Sequence, residues 1–67
     1  MDLVATLSCI DRPGIVHAMT SAILECEGNI IENQQYTDVR SNIFVMRTRF
    51  ETPQSVERVE STFATAL

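Results

Sequence analysis

Asp11-Arg12-Pro13-Gly14 separates two stretches of different hydrophobic period, and the reading of that junction decides the fold. Before it, in Asp2-Leu3-Val4-Ala5-Thr6-Leu7-Ser8-Cys9, the side chains alternate. Leu3, Ala5, Leu7 and Cys9 share one face and Val4, Thr6 and Ser8 the other, which is the two-residue period of a half-buried strand. After the junction, Ile15, Met19, Ala22, Ile23 and Cys26 recur mostly at three- and four-residue steps, the spacing that gathers side chains onto one stripe of an α-helix. The junction is therefore a strand-to-helix corner.

Each residue of the corner has a physical role to fill. The Asp11 carboxylate is expected to accept hydrogen bonds from the first helical turn. Pro13 has a preset φ and no N–H to leave unpaired, which suits the first helical position. Gly14, without a Cβ, lets another chain or a ligand approach the backbone. Local chemistry leaves two readings open: a helix cap and nothing more, or a small-anion site made by free N–H groups at the helix start, with Arg12 adding a charge-assisted contact.

Sixty-seven residues make one domain, in the size range where about 60% of the unfolded surface is buried. A net charge of −4 and a pI near 4.6, with the five basic residues scattered, argue against nucleic-acid binding. The apolar runs Leu3–Cys9 and Ile43–Val45 are too short to cross a bilayer, and the N-terminus lacks a basic region followed by an apolar core. No membrane association is expected, and a cytoplasmic location is. Cys9 and Cys26 form no Cys-x-x-Cys pair and no cluster with His17, so neither metal nor other cofactor is expected. The thiols are read as reduced, buried apolar groups, and His17 as a surface residue, without a nucleophile or carboxylate at a telling spacing.

The helix is expected from about Pro13 to Glu27, stopped by Gly28-Asn29 with Gly28 left-handed. A second strand, Ile30 to Thr37, would place Ile31 on one face and Ile30, Glu32, Gln34 and Tyr36 on the other. Its polarity on both faces suits a sheet edge, although Asn33, Gln34 and Gln35 could also serve a ligand or partner. Asp38-Val39-Arg40-Ser41-Asn42 reads as a hairpin loop. In the third strand Phe44, Met46, Thr48 and Phe50 should face the helices, with Ile43, Val45, Arg47 and Arg49 outward. The apolar start of that outer row implies partial cover by a partner chain or domain. Thr52 is expected to cap a second helix with Pro53 first in it, and Val56, Val59, Phe63 and Leu67 make its core stripe.

The order β-α-β-β-α is most of a split β-α-β, or ferredoxin-like, α+β arrangement with two helices on one face of an antiparallel sheet. A fourth strand beside the first is not found in residues 1–67, and the pattern is read as a fragment of a longer protein.

Leu7-Ser8-Cys9-Ile10-Asp11-Arg12-Pro13-Gly14-Ile15-Val16, then Gly28-Asn29-Ile30 and Gln35-Tyr36-Thr37-Asp38, resemble an ACT domain, the small regulatory module of amino-acid-metabolism enzymes. With Phe44-Val45-Met46-Arg47, the likeness narrows to the N-terminal ACT domain of bacterial formyltetrahydrofolate deformylases, over about residues 3 to 51. The resemblance implies a parent that hydrolyses formyltetrahydrofolate to tetrahydrofolate and formate, supplying one-carbon units to purine synthesis. Its catalytic Asn, His and Asp would lie in a separate formyltransferase-like domain, so no catalytic residue is expected here. It further implies a small amino acid, glycine or methionine, held between two ACT domains of a homodimer. The matching residues are Asp11, Arg12, Pro13, Gly14, Ile15 and Val16 at the first corner and Gly28, Asn29 and Ile30 at the second. Val45, where deformylases usually have a second Phe, and the glycine-poor loop at Asp38 to Asn42 depart from the pattern and bear on ligand identity.

Three other readings compete. One is a free-standing ligand-binding or transcription-regulating ACT protein of the glycine-cleavage repressor type. Another is a purely structural dimerisation module. The last is a small acylphosphatase-like enzyme using Arg12, disfavoured because no glycine-rich phosphate cradle is present.

Overall fold

A computed structural model describes all residues, Met1 to Leu67. The strands are β1 (Asp2–Ile10), β2 (Asn29–Asp38) and β3 (Ile43–Glu51), and the helices α1 (Ile15–Glu25) and α2 (Val56–Ala66), in the order β1-α1-β2-β3-α2. β3 is central in the sheet and antiparallel to both neighbours, giving the order β1-β3-β2. The α+β, ferredoxin-like arrangement read from the sequence is the one observed.

Alternation sets the register. Leu3, Ala5, Leu7 and Cys9 of β1 lie opposite Phe50, Thr48, Met46 and Phe44 of β3, so the apolar rows of both strands share the helix-facing side. Phe44, Met46, Thr48 and Phe50 are all buried, while Arg47 and Arg49 are exposed. The core over this face has two adjoining parts. Ile15 and Met19 pack with Phe44 and Met46, and Ile23 and Cys26 with Phe50 and Val59. Ala5 and Phe63 touch both parts, and Phe63 lies parallel to Phe50 with ring centroids 6.1 Å apart. Cys9 borders the first part and Cys26 lies in the second, both as free thiols.

The helix boundaries correct four readings. α1 begins at Ile15, not Pro13; its N-cap is Gly14 at φ 90°, and no side chain caps it. Asp11 stays with the strand, its N–H donating to the Asn42 carbonyl at 2.8 Å, so the chain turns three residues later than a cap at Asp11 requires. At the other end Glu27, not Gly28, takes the left-handed conformation, with φ 57°. The Glu27 N–H reaches the Leu24 carbonyl and the Gly28 N–H the Ile23 carbonyl, at 2.9 and 2.8 Å, which is the paired closure of a Schellman motif. In α2 the cap is Ser55, whose Oγ accepts from the Arg58 N–H at 3.2 Å, and neither Thr52 nor Pro53 begins the helix. Thr52 is buried instead, its hydroxyl donating to the Cys26 carbonyl and accepting from the Gln54 N–H. The stripe on α2 is only partly covered: Val59 is buried, Phe63 half-buried, and Val56 and Leu67 exposed.

β2 also differs. Ile30 lies opposite Phe50 and Glu32 opposite Arg49, so Ile31 is an extra residue in a bulge. The bulge moves Ile30 off the Glu32, Gln34 and Tyr36 row and onto the face of Asn33, Gln35 and Thr37, which lie opposite Thr48, Met46 and Phe44. The whole strand is exposed, as an edge should be.

Asp2 and Arg49 form an ion pair on the outer face, 2.7 Å at its shortest contact. The Arg49 hydrogen bond, followed by its charge and that of the N-terminus and opposed by some desolvation, holds the Asp2 carboxyl below its ordinary pKa. A depressed folded pKa stabilises above the unfolded value and is lost as pH falls through the folded one. The Tm of the native protein should therefore exceed that of Asp2→Asn at neutral pH, by the small margin of an exposed pair. That margin should shrink below about pH 4. A constant difference from neutral pH down to pH 2 would refute the assignment.

Candidate functional site

The candidate residues come from two corners. At the first, β1 hands over to α1 through Asp11, Arg12, Pro13 and Gly14, with Asp11 half-buried and the other three exposed. The hairpin loop braces this corner. Asn42, itself left-handed at φ 59°, accepts the Asp11 N–H, and its own N–H donates to the Asp38 carbonyl, both at 2.8 Å. Asp38 folds the loop by accepting the Arg40 N–H at 3.0 Å. A Cβ on Gly14 would meet nothing within 4 Å. With no side-chain cap, the first turn of α1 keeps its N–H groups available, at the positive end of the helix dipole. Ile15 is buried in the core and contributes backbone alone, whereas Val16 is exposed.

At the second corner, α1 closes and β2 begins at Asn29, whose side chain is exposed. Asn29 joins Met1, Asp2, Glu51, Thr52 and Pro53 around an open cavity of about 510 Å³. The Met1 ammonium donates to the Thr52 carbonyl at 2.8 Å, and the Thr52 N–H returns a bond to the Met1 carbonyl at 2.9 Å. This side offers carboxylates, carbonyls and one amide. Gly28 is taken up by packing against Ile23 and Phe50, and its N–H is already bonded. Ile30 is partly exposed on the helix side of the sheet edge.

The two corners are not brought together in one chain. Asn29 is level with Glu51 and Asp2, whereas Asp11 follows Ile10, which is level with Ile43. Eight strand residues, about 27 Å at strand rise, separate those levels. Donor chemistry for a carboxylate sits at one end of the sheet and acceptor chemistry for an ammonium at the other. The sequence reading passed over the bracing role of Asn42, although an Asn just before an apolar strand is a signal for a left-handed turn residue. Nothing local marks Asp2, Glu51 or Thr52 as neighbours of Asn29.

A three-stranded antiparallel sheet of order β1-β3-β2, with both helices on one face, is a ferredoxin-like domain of the ACT type. No family model matches the chain, but individual proteins do. It is 42% identical over 52 residues to the formyltetrahydrofolate deformylase of Synechocystis, covering 75% of this chain and 18% of the relative. With the Bacillus subtilis formyltetrahydrofolate deformylase it shares 44% over 46 residues, covering 67% and 15%. The chain thus spans less than a fifth of these curated relatives. Crystal structures of formyltetrahydrofolate deformylases share its fold. That from Burkholderia mallei gives a TM-score of 0.89 at 24% identity, covering 97% of this chain and 24% of that one. That from Pseudomonas putida gives 0.88 at 20%, covering 98% and 24%. A protein of unknown role from Galdieria sulphuraria gives 0.85 at 21%, covering 98% of this chain and 38% of that one. This chain is a formyltetrahydrofolate deformylase-related, ACT-like domain. No helix in it is long and apolar enough to cross a membrane.

Proposed function

We propose that the chain is the regulatory and oligomerising ACT domain of a formyltetrahydrofolate deformylase, an enzyme hydrolysing formyltetrahydrofolate to tetrahydrofolate and formate for the one-carbon supply of purine synthesis. It senses a small amino acid, glycine or methionine, and does no catalysis itself. The identity of 42% and 44% to two curated deformylases carries this reading.

The placement of the corners supports a ligand site shared by two copies. The ammonium and carboxylate of an α-amino acid are only a few ångströms apart, while the corners of one chain lie about 27 Å apart. A two-fold axis that sets two sheets antiparallel reverses their ends, bringing the Asp11 corner of one copy to the Asn29 end of the other. The free N–H groups of α1 would then receive the carboxylate, and the Asp11 carboxylate of the same copy, with Asn29 and Asp2 or Glu51 of the other, the ammonium.

Sedimentation of the 67-residue protein with and without glycine or methionine tests the proposal. The expected result is ligand-promoted dimerisation, with the concentration for half effect raised about tenfold by Asp11→Ala or Asn29→Ala, the loss of one charge-assisted contact. In a deformylase carrying this domain, the same substitutions should remove amino-acid modulation and spare basal hydrolysis. Unchanged modulation in both variants would overturn the site. One observation favours a second reading, pure assembly without ligand. Ile10, Ile43, Val45 and Tyr36 form an apolar end on the outer sheet face, with Ile10 61% and Tyr36 64% exposed. Dimerisation indifferent to amino acids and to Asp11→Ala would establish it.

A further inference from the structure

We infer that Asn42 is a positioning residue for the amino-acid site: through its left-handed backbone, the loop between β2 and β3 sets how tightly the Asp11 corner holds its ligand. This rests on the amino-acid site proposed for the two corners and adds to it a residue that touches no ligand.

The corner has few ties. Two backbone hydrogen bonds involve residues 11 to 14: the Asp11 N–H to the Asn42 carbonyl at 2.8 Å, and the Ala18 N–H to the Gly14 carbonyl at 3.0 Å. The second belongs to the first turn of α1 and travels with it. Arg12, Pro13 and Gly14 are exposed, and no side chain caps α1. The Asn42 carbonyl is therefore the hydrogen-bond partner that ties Asp11 to the sheet. It fixes where the Asp11 carboxylate, which receives the ligand's ammonium, stands relative to the free N–H groups of α1.

That tie demands an unusual backbone. Asn42 sends its two backbone groups to different strands. Its N–H donates to the Asp38 carbonyl at the end of β2, and its carbonyl accepts the Asp11 N–H just past the end of β1, both at 2.8 Å. β1 and β2 lie on opposite sides of β3. An extended residue presents its N–H and C=O to the same neighbour, as in the hydrogen-bonded pairs of an antiparallel ladder. The φ of 59° at Asn42 turns the two groups apart. Gly enters this region freely, Asn and Asp at small cost, and β-branched residues hardly at all. The Asn42 side chain is exposed, so its contribution is the backbone conformation that it permits. A residue that prefers the extended form keeps one of the two bonds and loses the other. A site formed in only a fraction of the molecules has its apparent affinity reduced by that fraction. By linkage, a ligand that needs Asp11 in place must strengthen the Asp11–Asn42 bond in return.

The test compares the native protein with Asn42→Val and Asn42→Gly, by sedimentation with glycine or methionine and by NMR hydrogen exchange at the Asp11 N–H. Asn42→Val should raise the concentration for half effect about fivefold, by depopulating the left-handed form. Asn42→Gly should stay within about twofold of the native protein, since Gly keeps that form. In the native protein a saturating amino acid should slow exchange at Asp11. In ligand-free Asn42→Val, exchange at Asp11 should speed up more than at Met46 in the centre of β3, whereas mere destabilisation would move both alike. A native response to Asn42→Val, with Asp11→Ala still weakened, would overturn the inference and leave the ligand site standing. Asn42→Gly as weak as Asn42→Val would also overturn it, because the side-chain amide would then be the active group. No response of the native protein to either amino acid would remove the site and the inference together. Should Asn42→Val fail to fold, exchange at Asp11 in the native protein still decides, and a ligand that leaves it unchanged would overturn the inference.

Discussion

Phe50→Ala is expected to leave the domain largely unfolded at 25 °C. Phe50 is fully buried, stacks on Phe63 and holds together the core part that includes Ile23, Cys26 and Val59. Truncating a buried Phe costs about 3–5 kcal/mol, from lost transfer free energy and the cavity left behind. A domain below about 70 residues rarely has more than about 3–5 kcal/mol in total. Circular dichroism with urea titration checks this: the variant should show no folded baseline, or one confined to the lowest urea concentrations. A midpoint within about 0.5 M of the native one, at the usual dependence on urea of ~1 kcal/mol/M for a small protein, would show that α2 repacks to fill the space.

Gly28→Ala should be the next most damaging change, although it adds only a methyl group. A Cβ there would stand 2.6 Å from Ile23 Cγ2, 2.9 Å from the Ile23 carbonyl oxygen and 3.1 Å from Phe50 Cδ2. Ile23 and Phe50 are both buried, and the carbonyl belongs to the backbone closing α1, so no side-chain rotation relieves all three contacts. Overpacking of this kind costs about 1–3 kcal/mol, lowering Tm by roughly 4–8 °C per kcal/mol in a domain of this size. The cause is steric and not conformational, because the left-handed residue of this turn is Glu27. Glu27→Gly should accordingly be neutral or mildly stabilising, relieving a strained φ. If Gly28→Ala were neutral while Glu27→Gly were damaging, the roles of the two residues would be reversed.

The pair illustrates what could be read from the chain. Strand alternation was legible because it repeats over whole elements: the helix-facing rows of β1 and β3 are where their period puts them. Element ends were less legible, since they depend on single residues with several possible partners. Thr52-Pro53-Gln54-Ser55 contains two hydroxyls able to cap a helix. Thr52 is claimed by the backbone of Met1 and Cys26, far off in sequence, which leaves Ser55 to cap. Asp11 was drawn toward β3 by Asn42 in the same way. The bulge in β2 was hidden because two adjacent isoleucines, Ile30 and Ile31, fit either face equally well. The candidate binding residues were found as motifs, but their distribution over opposite ends of the sheet needed the register.

The central position of β3 also governs the order in which the domain can form. β1 and β2 bond to β3 and not to each other, so no sheet hydrogen bond exists until the last of the three strands has been synthesised. Until then the apolar row of β1 and the stripe of α1 have each other as their only partners, a helix against a lone strand. When β3 arrives, it closes a short hairpin with β2 and a ladder with β1 that joins Asp2 to Glu51. The first is a local event and the second a distant loop closure, which is the slow kind. Folding should therefore be limited by the docking of β1, with the β2–β3 hairpin already made.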